Sequence, residues 1–269
     1  GADATNPLAV RRIFAAKGRP TDHPVIVHLP DADHLDEWAH AHPLARALAT
    51  RFWPGPLTMV LQRKPHVLNE VTGGRETVGL RVPSHPVAQE LLCAFGGGIA
   101  APSANRFGKI SATSAAHVRS EFPADIHLLD GGDCTIGIES TIVDLSNDTP
   151  ALLRLGAITQ ADLETITGPL PMGTTPAPGT LRSHYSPHTA LHLSNDPDAD
   201  ARRFTDQGLS VAVLHAAPPE VYAKQLYARL RQLDQKGVDL LVAEWAEETG
   251  MGPAINDRLQ RAAASESDD

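Results

Sequence analysis

Hydrophobic positions along this chain switch between helical and strand spacing, and the switches mark its elements. In "NPLAVRRIFAAKG" (6–18), Asn6 suits a cap, Pro7 a first turn and Gly18 a stop. Leu8, Val10, Ile13 and Phe14 supply the apolar positions, so a helix is predicted. "PVIVHL" (24–29) reads as a short β-branched strand. Residues 32–52 read as two short helices broken near His42-Pro43, and "FWPGP" (52–56) as a turn into the strand "LTMVLQR". "ETVGLRVP" (76–83) is a further strand, "HPVAQELLCAF" (85–95) a helix stopped by Gly96-Gly97-Gly98, and Ile99–Ala101 a strand ended by Pro102. A helix near 113–122, strands at 125–130 and 140–145, and "LLRLG" with the helix "TQADLETIT" complete the first 167 residues.

Residues 168–189 change character. Pro, Gly, Thr and Ser dominate "GPLPMGTTPAPGTLRSHYSPHT", which reads as a linker. Beyond it the rhythm is regular: strand "ALHL", a helix near 197–207, strand "LSVAVLHA", helix "PEVYAKQLYARLRQLDQ", strand "VDLLVAEWA" and a helix from Pro253. Strands alternating with helices predict a small parallel, Rossmann-like α/β domain over 190–269. The fold class expected is therefore α/β: a large domain over 1–167, a linker and a small second domain.

Composition narrows the partners. The chain has 269 residues, 42% hydrophobic, enough for a large domain plus a smaller one. It contains no apolar run long enough to span a bilayer. The opening residues show no basic-then-apolar secretory pattern, and Cys93 and Cys134 form neither a disulfide framework nor a zinc motif; a cytoplasmic protein is expected. The net charge of −9 is uneven. Residues 1–110 hold 12 Lys and Arg against 9 Asp and Glu, and the remainder 11 against 23. The front is the better host for an anionic ligand, and the whole a poor general binder of nucleic acid.

The residues available for chemistry are few. Neither G-x-x-x-x-G-K-[ST] nor a strand-borne G-x-G-x-x-G is present. In "KGRP" (17–20), Lys17 and Arg19 lie on one side of an extended chain at a helix end. They suit a polyphosphate or carboxylate, or simply complement the helix dipole. Arg81 interrupts an apolar strand; if buried, it needs an anion, from a ligand or from an internal carboxylate. His28 ends a strand and is most simply structural. His184 and His188 are four apart, but Pro187 argues against a metal-binding helix. In "APSANRFGKIS" (101–111), Ser103 and Asn105 follow a strand with no histidine or carboxylate beside them. Ser103 is then unsuited to covalent catalysis; a polar turn, or a site working by orientation and charge stabilisation, fits better.

Together "KGRPTDHPVIVHL", "FWPGPLTMVL", "VGLRVPSHP", "APSANRFGKIS", "IESTIVDL", "LLRLGAIT" and "RSHYSPH" resemble, in order, the threonylcarbamoyl-AMP synthase family with its YrdC-like fold. The segment after the linker looks like the extra domain of its two-domain members. The resemblance implies a twisted mixed sheet with flanking helices, and a nucleotidyltransferase reaction. L-threonine and bicarbonate (or CO2) form N-carboxythreonine, whose carbamate oxygen attacks the α-phosphate of ATP; pyrophosphate leaves. A separate transferase then passes the threonylcarbamoyl group to tRNA. The implied catalytic signature falls on Lys17, Arg19, Ser103 and Asn105. Implied ATP contacts are Arg19, His23, Thr77, Ser103, Ser111, Arg154 and, from a strap-like linker, Tyr185. Implied threonine contacts are His28, Arg81, Ala101 by its backbone, and Ser140. Mg2+ is implied as a passenger of ATP, with no protein metal site. The family pattern also places a strand and a P-T-E-T-V-Y-G-L motif just before "GADAT", so a threonine-site residue is expected outside these 269 residues. Two rival readings remain: a carbamoyl-adenylate-forming carbamoyltransferase domain, and a non-catalytic RNA-binding module with weak tRNA contact.

Overall fold

The computed structural model describes residues 1–124 and 126–264. They divide into two compact units, the first comprising residues 1–107, 127–131 and 139–180, the second 108–126, 132–138 and 181 onward.

The first unit is built on a seven-stranded mixed sheet. Its strands are β1 (Ala2–Asp3), β2 (Val27–His28), β3 (Leu57–Gln62), β4 (Thr77–Arg81), β5 (Ile99–Ala100), β6 (Thr141–Asp144) and β7 (Ala151–Arg154), in spatial order β1-β5-β2-β4-β3-β6-β7. The β2/β4 and β3/β6 pairs are parallel and the others antiparallel. One face packs on the helices around Val10, Phe14, Leu48, Leu57, Met59 and Leu80, all buried. That leaves alternate residues of the same strands, such as Thr58 and Gly79, for the opposite face.

The helix Pro7–Lys17 starts as predicted, with the Asn6 side chain accepting from the N–H groups of Leu8 and Ala9, and ends at Gly18 with φ 67°. Its inward face matches the expected one at Val10, Ile13 and Phe14 but not at Leu8. Val10, Phe14 and Lys17, spaced four and three, are buried, whereas Leu8 is 66% exposed. The expected strand at 24–29 shortens to two residues, and residues 126–130 form no strand. Ile126 and Leu129 are exposed and have no strand edge to pair with; Asp125 lies outside the described residues. The two-residue β1 and the helix Asn69–Thr72 carry too little pattern to be read from sequence.

The W-P-G-P turn sets up the site. Its Trp53–Pro54 bond is cis, the Trp53 indole donates to Leu57 O (2.8 Å), and Gly55 N donates to Val82 O (2.8 Å). A Cβ on Gly55 would meet Phe52 O at 2.2 Å, so only glycine fits. Residues 171–180 continue the first unit. Leu152 N donates to Pro171 O and Gly173 N to Leu152 O, both at 2.8 Å.

The second unit carries a parallel sheet of β8 (Ala190–Ser194), β9 (Val211–Leu214) and β10 (Leu240–Glu244), ordered β8-β10-β9. The helices Pro197–Asp206, Pro219–Asp234 and Gly252–Ala263 alternate with these strands as the sequence predicts. Tyr222, Leu226, Tyr227 and Leu230 bury the long middle helix.

Candidate active site

The S-x-N loop of the first unit is held by the helix end that precedes it by 86 residues. The Lys17 ammonium donates to Ser103 O (2.5 Å) and to Asn105 O. Phe107 N donates to Lys17 O (3.0 Å), and the Arg106 guanidinium to Ala16 O (2.7 Å). Lys17 and Asn105 are buried because the loop folds over the helix C-terminus. An exposed helix end is the simple expectation for Lys17 and Arg19; both are buried instead. Arg19 donates to Pro24 O (2.9 Å), lies 5.5 Å over the Phe107 ring, and has an Nε with no partner. Burial pushes its guanidinium down to about 10. His23 meets the same ring edge-on, and burial, then the Arg19 charge, lowers its pKa. Ser103 is exposed and its hydroxyl makes no hydrogen bond, so nothing activates it as a nucleophile.

A second group lines up across the sheet. His28 pairs with Arg81 in the β2/β4 register, so both side chains leave the same face. Met59 pairs with Leu80; one antiparallel step further, Thr58 falls opposite Arg81. Ser140 immediately precedes β6, and its hydroxyl lies 2.7 Å from that of Thr58. Arg154 backs the row. It donates to Ser140 O (2.8 and 3.0 Å), Ser140 Oγ (3.0 Å) and Pro178 O (2.7 Å), so it fixes both Ser140 and the 176–178 segment. Gly79 leaves the floor open, since a Cβ there would touch Ile26 and Thr58 at 3.6 Å. Ala101 N donates to Ile26 O (3.0 Å), which leaves the Ala101 carbonyl for a ligand. Thr77 shares the face with Gly79 and Arg81, and with Thr58 it lines a cleft covered by Thr175–Pro178.

The charges in this row decide a question that the sequence leaves open. Arg81 donates through Nε to Gly55 O (3.0 Å) and makes no other hydrogen bond or ion pair. Among the described residues no carboxylate answers it. Burial, then the nearby Arg154 charge, brings its guanidinium down to about 10, and it stays cationic at neutral pH. A largely buried cation without an anion fits a site for an anionic ligand. Burial, then Arg81, pushes His28 down to about 3, and its Nδ1 is covered and without a partner. The ring keeps some exposed surface but is neutral at physiological pH. The row thus offers a cation, a neutral imidazole and two hydroxyls, with no activated nucleophile.

Ser111 and Tyr185 belong to the second unit. Ser111 is buried, and its carbonyl accepts from Arg231 Nε (3.3 Å). Tyr185 is 1% exposed with φ 62°, stacked on Tyr227 (5.4 Å between centroids) and under the Arg258 guanidinium. The linker around it is pinned: Ser186 N donates to Gly108 O (2.9 Å), and the N–H groups of His188 and Thr189 donate to the Asp234 carboxylate (3.0 and 2.8 Å). Sequence reasoning passed over Thr58. Its signal was a polar residue second in the strand "LTMVL", whose neighbours are all apolar.

The arrangement has known relatives. Residues 1–156 match the Sua5/YciO/YrdC family model, described as telomere recombination, and residues 158–264 match the C-terminal domain of threonylcarbamoyl-AMP synthase. The threonylcarbamoyl-AMP synthases of Pyrococcus abyssi and Bacillus subtilis are each 38% identical to this chain, over 97% and 98% of it and 86% of either relative. The chain belongs to the threonylcarbamoyl-AMP synthase family. A crystal structure of the P. abyssi protein, Sua5, complexed with L-threonine matches with a TM-score of 0.92 at 38% identity, covering 98% of this chain and 86% of that one. The match confirms the expected mixed α/β architecture. With both family models on one chain, membership extends to the second domain and makes this an enzyme of the synthase class, against the carbamoyltransferase and RNA-module alternatives.

Proposed function

We propose that this chain joins L-threonine, bicarbonate or CO2, and ATP into threonylcarbamoyl-AMP, releasing pyrophosphate. The amine of threonine captures the carbon as a carbamate, and a carbamate oxygen then displaces pyrophosphate at the α-phosphorus. The substrate supplies its own nucleophile, so the protein's work is orientation, exclusion of water and charge stabilisation. The observation that carries the reading is the Arg81 row. A largely buried guanidinium, with no anion partner among the described residues, stands between His28 and the Thr58–Ser140 pair, on a chain 38% identical to a relative solved with L-threonine. Arg81 takes the amino-acid carboxylate, His28, Ser140 and the Ala101 carbonyl complete the threonine contacts, and ATP is served by Arg19, His23, Thr77, Ser103, Ser111, Arg154 and Tyr185. Lys17 shapes the S-x-N loop from below, and Asn105 is locked within it.

Magnesium enters with the triphosphate. Magnesium is commonly held by substrate phosphates and water, with few ligands from the protein. The product goes to a separate transferase acting on tRNA in the cytoplasm, and the −9 charge limits this chain to weak tRNA contact. No helix among the described residues is long and apolar enough to cross a membrane.

The test is a product assay with ATP, magnesium, bicarbonate and L-threonine, read by mass spectrometry. Pyrophosphate and threonylcarbamoyl-AMP should appear only when threonine is present. Turnover that needs carbamoyl phosphate and ignores threonine would overturn the reading.

A further inference from the structure

We infer that Thr58 is a further substrate-binding residue: with Ser140 it forms a single hydroxyl donor that holds the amino-acid carboxylate opposite Arg81. This rests on the reading of Arg81 and Ser140 as threonine-site residues.

The hydroxyl pair carries one proton more than its own bond uses. Arg154 Nη2 donates to Ser140 Oγ at 3.0 Å, and the Ser140 and Thr58 hydroxyls are 2.7 Å apart. Two hydroxyls carry two protons, and the bond between them uses one. The other has no partner among the described residues, since neither side chain makes any further hydrogen bond there. Thr58 is completely buried and Ser140 is 3% exposed, so bulk water does not satisfy it. A buried donor left unmade is costly, and native structures rarely keep one without a use.

Arg154 can only donate, so Ser140 Oγ accepts from it; either hydroxyl can donate within the pair, and the arrangement in which Ser140 donates places the spare proton on Thr58. Thr58 lines the cleft and falls opposite Arg81 in the strand register. Arg81 offers terminal N–H groups with no other partner. A guanidinium and a hydroxyl that leave the same sheet face one strand spacing apart suit the two oxygens of a carboxylate. Gly79, two residues before Arg81 on the same face of β4, adds no side chain to that space.

The test is calorimetric titration of L-threonine into the intact chain, with Michaelis constants for threonine and ATP measured alongside. Thr58→Val keeps the shape and removes the proton; Thr58→Ser keeps the proton. Thr58→Val should weaken threonine binding roughly 10- to 100-fold, the worth of a hydrogen bond to a charged group, and leave the ATP constant unchanged. Thr58→Ser should bind within a few-fold of the parent. Adding Ser140→Ala to Thr58→Val should cost little more than either alone, because the pair supplies one proton. Parental binding in Thr58→Val would overturn the inference. So would Thr58→Ser as weak as Thr58→Val, or an ATP constant rising in step. Thr58→Ala replaces the valine variant if the latter does not fold. Arg81→Ala and Ser140→Ala separate the two failures. If both weaken threonine and Thr58→Val does not, the inference alone falls; if neither does, the site reading falls with it.

Discussion

The Lys17 ammonium lies 2.5 Å from the Ser103 carbonyl oxygen, and so ties the end of the first long helix to the loop expected to face the phosphates. It serves structure and site together. Lys17→Ala should strand the buried carbonyl of Asn105 and the partly buried one of Ser103, lowering unfolding stability by about 2–4 kcal/mol and abolishing product formation. Ser103→Ala, at an exposed and unpartnered hydroxyl, should leave stability within about 0.5 kcal/mol while still lowering the rate. Urea unfolding with the product assay checks both; a stable, inactive Lys17→Ala would mean that the ammonium acts on substrate alone.

Arg81→Ala should raise the Michaelis constant for threonine roughly 10- to 100-fold, with a much smaller change for ATP. Arg81→Lys should recover only part of the loss, because a point charge cannot both reach Gly55 O through a planar fork and grip a carboxylate. Steady-state kinetics with each substrate varied in turn decides it. A larger effect on ATP would remove Arg81 from the carboxylate.

How much of this was legible in the sequence follows from the kind of signal each part carries. The helix Pro7–Lys17 has a cap, a first-turn proline and a glycine stop, and its ends fall where these put them. Its inward face was legible at Val10, Ile13 and Phe14, but Leu8 is equally apolar and only packing turns it outward and Lys17 inward. For the same reason Lys17 reads as a surface cation until the loop 86 residues later covers it. Arg81 was conspicuous as a charge among apolar neighbours, yet whether an internal carboxylate answers it is a tertiary fact. Thr58 was invisible because a threonine in a strand is ordinary; what marks it is its neighbours across the sheet.

His28 gives a pH dependence with a definite sign. Its folded pKa, about 3, lies below the ordinary histidine value of 6.5, so between these values the unfolded chain binds the extra proton. Stability should therefore fall as pH drops from about 6.5 towards 3, by at most about 1.4 kcal/mol per pH unit for this one group. His28→Gln cannot titrate and should flatten that part of the curve, measured by urea unfolding from pH 7 to pH 4. An unchanged slope would show that other groups govern the acid limb.

Arg231 ties the family's C-terminal domain to the K-I-S segment. From the helix Pro219–Asp234 its guanidinium donates to Ile110 O, to Ser111 O (3.3 Å) and to the Glu121 carboxylate (2.6 Å), all within the second unit. The pair with Glu121 is nearly buried, with 11% and 12% of the side chains exposed. Removing one partner of such a pair costs about 3–5 kcal/mol, so Arg231→Ala should lower Tm by several degrees. It should also loosen the backbone at Ser111, an expected ATP contact. The Michaelis constant for ATP should therefore rise more than that for threonine, the opposite of the Arg81 pattern. Arg231→Lys keeps the charge but not the fork and should fall between. If Arg231→Ala loses stability while both constants stay at the parental values, the helix braces the fold without shaping the nucleotide site.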